Sequence, residues 1–312
     1  MKILITGAFG FVGTNLSKAL KANSNHHLIA VDVFKPETHV YDEYFDWDSL
    51  ISLDWNDIEA IIHLAGKAHD TKNTTNGQVY FQINLGLTQQ IFDYYLKSTV
   101  KKFIFFSSVK AVTDEVLGEK LTEDVTPNPK TAYGMSKLVA EKLIQDQKIA
   151  EDKQVYILRP CMIHGPGNKG NLNLLYNIVQ KGVPWPLGSF ENKRSYTTIE
   201  NLIFVVSRIL DYNINPGTYQ IADDEAISTN RLIELISESL QNKTKIWRLN
   251  KKMIQVIARL GDIIPLPLNT ERLQKLTESY VVSNEKLKTA LGIKKMPVQA
   301  EDGIKNTLTS FQ

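Results

Sequence analysis

Five short runs, "KILIT", "HLIAVDV", "AIIHLAG", "KFIFFSS" and "VYILRP", are apolar at nearly every position, including neighbours that would point to opposite faces of a strand. A strand with one wet face alternates apolar and polar residues, so runs this uniform require burial on both faces. Between them, "GTNLSKALKA" and "INLGLTQQIFDYYLK" carry apolar residues at helical spacing. Strand and helix alternate in this way through the first half, which predicts an α/β fold: a doubly wound parallel sheet with helices on both faces. After about residue 165 the texture changes. "HGPGNKGN" and "VPWPLGSFENKRS" are loop-like, "TTIENLIFVVSRIL" is an apolar strand or helix, and the tail from Gly217 reads as helical apart from a strand in "GTYQIADD".

The composition excludes several classes of function. With 312 residues, 43% hydrophobic and 22% charged, the chain can bury a substantial core. A net charge of +2 gives no basic stripe for nucleic acid. The single cysteine, Cys161, cannot close an intrachain disulfide, and no Cys/His spacing calls for a metal. No run approaches the roughly 20 apolar residues that cross a bilayer, and the N-terminal apolar segment is too short for a signal peptide. A cytoplasmic protein without membrane insertion is the expectation. "KKMIQVIARLGDIIPLPL", with its basic start and apolar body, is expected to pack inside a second domain.

In "ITGAFGFVGTN" the glycines fall at Gly7, Gly10 and Gly13, between the first strand and the first helix. Such a turn brings backbone N–H groups and a helix N-terminus to a diphosphate. Asp32 closes the second strand about 20 residues beyond Gly13, where an acid can accept hydrogen bonds from adenosine ribose hydroxyls. That carboxylate would repel a 2′-phosphate, which favours NAD over NADP, although Lys35 lies close enough to blunt the repulsion. Residues 1–165, with 195–212 returning, are therefore expected to form the dinucleotide-binding domain. Residues 166–194 and 213–312 would form a smaller mixed α/β domain.

"TAYGMSK" sets Tyr133 and Lys137 four apart, on one face of a helix. At roughly 5 Å and an effective dielectric of about 20, an ammonium would stabilise a phenolate by about 3 kcal/mol. Tyr133 then becomes a base for a substrate hydroxyl whose carbon gives up hydride. Ser108, at the C-terminal end of its strand, lies where ligands meet such sheets and can bond the same oxygen.

Together these features resemble the extended short-chain dehydrogenase/reductase family, the NAD-dependent nucleotide-sugar epimerases and dehydratases, over nearly the whole chain. The carriers are "TGAFGFVG", Asp32, "IIHLAG", Asn84 in "FQINLGLTQ", Ser108, "YGMSK", "LRPCMIHGPG" and "RSYTTIENL". Within that family the chain is most similar to surface-polysaccharide enzymes acting at C4 of UDP-hexoses or UDP-N-acetylhexosamines. The resemblance implies an NAD site that includes Phe11, Val12, Leu64, Ala65, Gly66, Asn84, Tyr133 and Lys137 beside the glycines and Asp32. It also implies a UDP-sugar partner, with Asn171 and Arg194 holding the diphosphate and Ser108 the sugar. Dimerisation through a helix pair is common in similar proteins, and no residue pattern here demands it. Two features depart from the family: Val112 and Thr113 replace a Tyr-Gly or Asn-Gly, and Cys161 stands where proline is frequent.

The family's 4,6-dehydratases use a Thr-Asp-Glu triplet that begins at the catalytic hydroxyl. "TDEV" from Thr113 copies the letters, but the strand "KFIFFSS" aligns that hydroxyl with Ser108, which leaves Asp114 and Glu115 five residues too late, on an expected solvated loop. Redox chemistry at one carbinol carbon remains. The expected reaction is 4-epimerisation, the alternative a 4-reduction of a UDP-4-keto-6-deoxy sugar; 4,6-dehydration and a non-catalytic dinucleotide-binding role rank behind both.

Overall fold

The computed structural model describes residues 1–68, 77–168, 170–243, 245–264, 266 and 268–312. Its strands are β1 (Lys2–Thr6), β2 (His27–Val31), β3 (Glu43–Phe45), β4 (Ala60–His63), β5 (Lys102–Phe106), β6 (Gln154–Pro160), β7 (Met162–His164), β8 (Tyr196–Thr198) and β9 (Gly217–Ile221). Its helices are α1 (Phe11–Asn23), α2 (Gly77–Asn84), α3 (Gly86–Lys97), α4 (Ala132–Gln145), α5 (Asn171–Gln180), α6 (Ile199–Asp211), α7 (Thr229–Ser239), α8 (Lys251–Gly261), α9 (Thr270–Thr277), α10 (Glu285–Leu291) and α11 (Ala300–Thr309).

Seven strands form one parallel sheet in the order β3-β2-β1-β4-β5-β6-β9. The strand order reverses between β1 and β4, so a crevice lies beyond their C-terminal ends, at the turns that follow Thr6 and His63. Both faces are buried, as the uniform apolar runs require. Ile3, Ile5, Ile104 and Phe106 pack on one face with Leu16 of α1 and Leu202 and Val206 of α6. Leu4, Ile61, Phe103 and Phe105 pack on the other with Ile91 and Phe92 of α3 and Ala140 of α4.

A second core joins Leu172 and Tyr176 of α5, Leu232 and Ile236 of α7, and Ile304 and Leu308 of α11, beneath a two-stranded sheet of β7 and β8. The expected division at residue 213 fails in one respect. β9 pairs with β6 in the large sheet, and Leu287 and Leu291 of α10 pack under it. The chain thus returns to the first core twice more, because the outer side of β6 needs a partner strand and β9 needs a helix. The expectation for "KKMIQVIARLGDIIPLPL" also fails in part: only Ile254 and Ala258 of α8 reach the second core, while Met253, Val256, Ile257 and Leu260 are exposed.

Where the two cores meet, the buried Asp223 carboxylate accepts from the Thr198 N–H at 3.0 Å and from Asn201 Nδ2 at 2.7 Å. Asn201 in turn pairs with the backbone of Val298 in both directions.

Under the sheet, Arg159 of β6 donates Nε and Nη2 to the two oxygens of Glu141 on α4, at 2.9 and 2.5 Å, and the Ser107 hydroxyl donates to the same carboxylate. Both charged side chains are almost fully buried. Removing one partner strands the other charge in a low-dielectric interior. Glu141→Ala is expected to cost about 3–5 kcal/mol in urea unfolding, with the double variant Glu141→Leu/Arg159→Met recovering most of the loss; a cost below about 1 kcal/mol for the single variant would contradict this account.

Candidate active site

The turn after β1 requires glycine for two separate reasons. Gly7 has φ +65°, and a side chain there would sit 2.8 Å from the Ala65 nitrogen, where the turns after β1 and β4 come together. A Cβ on Gly13 would lie 2.5 Å from the Ala8 carbonyl oxygen, so the first turn of α1 rests directly on the loop. Gly10 caps α1 with no side-chain acceptor, and the first helical turn, which contains Phe11 and Val12, holds no acid. The positive end of the helix is left for an external anion.

Asp32 follows β2 and accepts from the Phe9 N–H at 2.9 Å through one oxygen and from the Val33 N–H at 2.8 Å through the other. Each oxygen keeps a lone pair for a ribose hydroxyl. Lys35 Nζ sits 5.5 Å from the Tyr44 ring centroid. These features fit a dinucleotide diphosphate and ribose. Leu64, Ala65 and Gly66 line the facing turn, held by the Leu64 N–H to Thr6 O and the Ala65 N–H to Thr6 Oγ1.

Helix α4 carries Tyr133 and Lys137 one turn apart, as the spacing predicts. Thr131 caps it by accepting from the Gly134 N–H at 3.2 Å. Gly134 is needed because a Cβ there would lie 2.4 Å from the Lys110 carbonyl oxygen. Backbone-to-backbone approach sets the start of α4 against the short 3-10 turn, Val109–Ala111, that Ser108 caps. Ser108 Oγ accepts from the Lys110 N–H at 3.2 Å, which leaves its proton available, and Ser108 acts to lower the pKa of the Tyr133 phenol. Lys137 Nζ donates to the Phe106 carbonyl at 2.8 Å and sits 5.0 Å from the Phe105 ring centroid.

The electrostatics differ from the sequence expectation. Burial raises the Tyr133 pKa above 10, opposed by the Ser108 hydrogen bond. Burial also lowers the Lys137 pKa to about 8, with Glu141 pulling it back up. The lysine charge is spent on the Phe106 carbonyl, so the anticipated depression of the phenol is absent from this arrangement.

Asn84, at the end of α2, uses its whole amide as a clamp. It accepts from the Lys67 N–H at 2.7 Å and donates to Lys67 O at 3.1 Å and to Ser136 Oγ at 2.9 Å; Ser136 donates to Tyr133 O. The turn after β4 is thereby fixed to the helix that carries Tyr133. A side chain on Gly66 would strike Asn84 Oδ1 at 2.9 Å and Lys137 Nζ at 3.1 Å.

Arg194 lies across the second core's edge, its backbone paired with Ile227 and its guanidinium 2.9 Å from Glu278. Near it, Lys110 Nζ stands 4.1 Å from the Tyr280 ring centroid, and burial lowers its pKa, with Arg194 adding to that effect. The side chain of Asn171 falls outside the described groups, although its backbone opens α5.

Asp114 does not face a solvated loop alone: its carboxylate accepts from the Lys130 N–H at 2.7 Å and the Thr131 N–H at 3.2 Å, pinning the entry to α4. Glu115 is exposed and accepts from Gln274 at 2.9 Å. Asp114 thus serves the entry to α4, and Glu115 lies on the exposed surface. Cys161 is buried among Val109, Tyr280 and Val282.

Three features escaped the sequence reading. Tyr80 of α2 meets the Tyr133 ring edge-on at 6.2 Å. Glu278 pairs with Arg194. Buried His63 joins Thr6 Oγ1 at 2.6 Å through Nδ1 and Thr88 Oγ1 at 3.0 Å through Nε2. Thr88 already gives its one hydroxyl proton to Asn84 O, so Nε2–H must donate to it, and in the neutral imidazole Nδ1 then accepts from Thr6. The one polar residue inside "AIIHLAG" was the available signal for His63.

The sequence profile of the family described as "NAD dependent epimerase/dehydratase family" matches residues 3–222. A "UDP-glucose 4-epimerase" of Vibrio cholerae is 29% identical over 99% of this chain and 95% of that protein. An "N-acetyl-alpha-D-glucosaminyl-diphospho-ditrans,octacis-undecaprenol 4-epimerase" of Escherichia coli O157:H7 is 25% identical over 77% of this chain and 73% of that protein. Among solved structures, a UDP-glucose 4-epimerase from Thermotoga maritima with UDP-glucose superposes with a TM-score of 0.76 at 20% identity, covering 100% of this chain and 98% of that one.

Burial, reinforced by the Lys137 charge, pushes the His63 pKa from 6.5 down to about 3. Between those values the unfolded chain holds a proton that the folded chain does not, so stability is full above pH 6.5 and falls as the pH drops towards 3. Urea unfolding from pH 6.5 to 4 should reveal a contribution of up to about 1.4 kcal/mol per pH unit from this group. His63→Asn should flatten the slope by about one proton, and an unaltered slope would contradict the assignment.

Proposed function

Because the chain belongs to the NAD dependent epimerase/dehydratase family, we propose that it is an NAD-dependent 4-epimerase of a UDP-hexose or UDP-N-acetylhexosamine. The observation that carries this reading is the placing of Tyr133, with Lys137 one helical turn along, beside Ser108 beyond the C-terminal end of β5, close enough for Ser108 to lower the phenol pKa. A phenol, a hydroxyl and an ammonium in that order suit proton exchange with a sugar hydroxyl. The 4-epimerase relative, aligned over almost its whole length, supports C4 as the reacting carbon.

NAD would be held by the Gly7–Gly13 turn and the first turn of α1 at its diphosphate, by Asp32 at the adenosine ribose, by Leu64–Gly66 along the facing turn, which Asn84 holds in place, and by Tyr133 and Lys137 at the nicotinamide ribose. When bound, it supplies the acceptor for the C4 hydride, the means of its return, and a positive ring charge beside the phenol. In the productive state Tyr133 takes the O4 proton, Ser108 polarises the same oxygen, and Lys137 leaves the Phe106 carbonyl to favour the phenolate. Burial raises the resting phenol pKa, so the lysine and nicotinamide charges would be what favours the phenolate. Arg194 exchanges Glu278 for the sugar diphosphate, a role the family resemblance extends to Asn171; a planar guanidinium suits that oxyanion. Turning the 4-keto sugar within the site presents its other face for hydride return and inverts C4. The same residues would run a 4-reduction if reduced cofactor arrived from solution.

Incubation with UDP-glucose, UDP-N-acetylglucosamine and a UDP-4-keto-6-deoxy sugar, with and without NADH and followed by NMR, tests the proposal. C4 epimers should form without added NADH. Stoichiometric NADH consumption would sink the epimerase reading and leave the reductase. Tyr133→Phe should lose about 10²–10⁴-fold in turnover with its fold intact; unchanged turnover would leave a dinucleotide-binding module.

A further inference from the structure

Helix α8 presents three distinct sides to its surroundings. At about 100° per residue, Ile254 and Ala258 share one side and are buried in the second core. Met253, Val256, Ile257 and Leu260, at spacings of three and four, form a second side that is exposed, Val256 to 54%. Lys252 and Arg259 share the third and border the apolar strip on the edge away from the core. The strip continues beyond the helix through Ile263, 84% exposed, and Ile264, and Trp247 just before the helix is 48% exposed.

Charge along this stretch of the chain is one-sided. Residues 241–264 contain Lys243, Lys245, Arg248, Lys251, Lys252 and Arg259, against the single acid Asp262. That acid is turned away, accepting from the Thr270 N–H and hydroxyl at 3.0 and 2.5 Å. Among the described residues, the side chains of Lys245, Arg248, Lys252 and Arg259 make no ion pair or hydrogen bond. A second copy seated on this face by a two-fold axis would set these cations against themselves. The complementary partner is apolar below and anionic above, with room at the boundary for an indole ring. Among the described residues, no helix is long and apolar enough to cross a membrane.

We propose that α8 and the turn after it lie in the interfacial layer of an anionic lipid bilayer. Met253, Val256, Ile257, Leu260 and Ile263 enter the upper acyl region, and Lys245, Arg248, Lys252 and Arg259 meet headgroup phosphates. The proposal concerns a surface and is independent of the reaction assigned above.

The test is sedimentation of the full chain with phosphatidylcholine vesicles, with and without about 30 mol% phosphatidylglycerol. Binding should be at least about tenfold stronger on the anionic vesicles and reversed by high salt. Lys252→Gln/Arg259→Gln should weaken it about twentyfold, and Val256→Ser/Leu260→Ser/Ile263→Ser should abolish it. All of these side chains are exposed, so circular dichroism and thermal unfolding should match the parent chain. Equal binding to both vesicle types, no binding, or binding unmoved by both variants would overturn the proposal. So would a dimer seen by light scattering that the apolar variant splits while neither vesicle binds, since that result would give the face to a second copy.

Discussion

The contact on which the chemistry depends is the close seating of α4 on the turn after β5, made between backbones at Gly134 and Lys110. Ser108 ends one element and Tyr133 begins the other, and their hydroxyls can meet only if no side chain separates the two turns. Asp114 reinforces the seat by gripping Lys130 and Thr131, and Asn84 reinforces it from the opposite side through Ser136. The catalytic candidates are thus positioned by hydrogen bonds to groups that take no part in the proposed reaction, which keeps their own atoms available.

Burying charge beneath a reactive group is costly, and the arrangement under β5 shows how the cost is contained. Glu141 is paired with Arg159 and also accepts from Ser107, so its oxygens are satisfied. Lys137, one turn earlier on α4, has only a carbonyl and an aromatic face, and its pKa falls to about 8. An ammonium so lightly held is the one buried charge in the group that can be redirected without breaking an ion pair.

Much of this was legible from residue pattern. Uniformly apolar runs gave all the central strands, because burial on both faces leaves no alternation to misread, and the glycines and Asp32 marked the crevice by their steric and hydrogen-bonding needs. The short strands β3, β7 and β8 were not legible, since three residues carry no period. Nor was the His63 relay, because its partners Thr6 and Thr88 are distant in sequence and ordinary alone. The pKa of Tyr133 was misjudged because spacing along a helix fixes where Lys137 starts but not where its ammonium ends. The letters "TDE" misled least once aligned to the strand, although sequence gave no hint that Asp114 anchors a helix.

The chain passes between the two cores repeatedly: from β6 into β7, from β8 into α6, after β9, into α10, and from α10 into α11. Asp223 and Asn201 bind three of the crossing segments together. A hinge needs few covalent strands and a yielding seam, and this seam has neither property. Under the proposed reaction, admission and turning of a sugar would rely on loops and side chains at the crevice mouth, with the two halves acting as one vice whose jaws are already set.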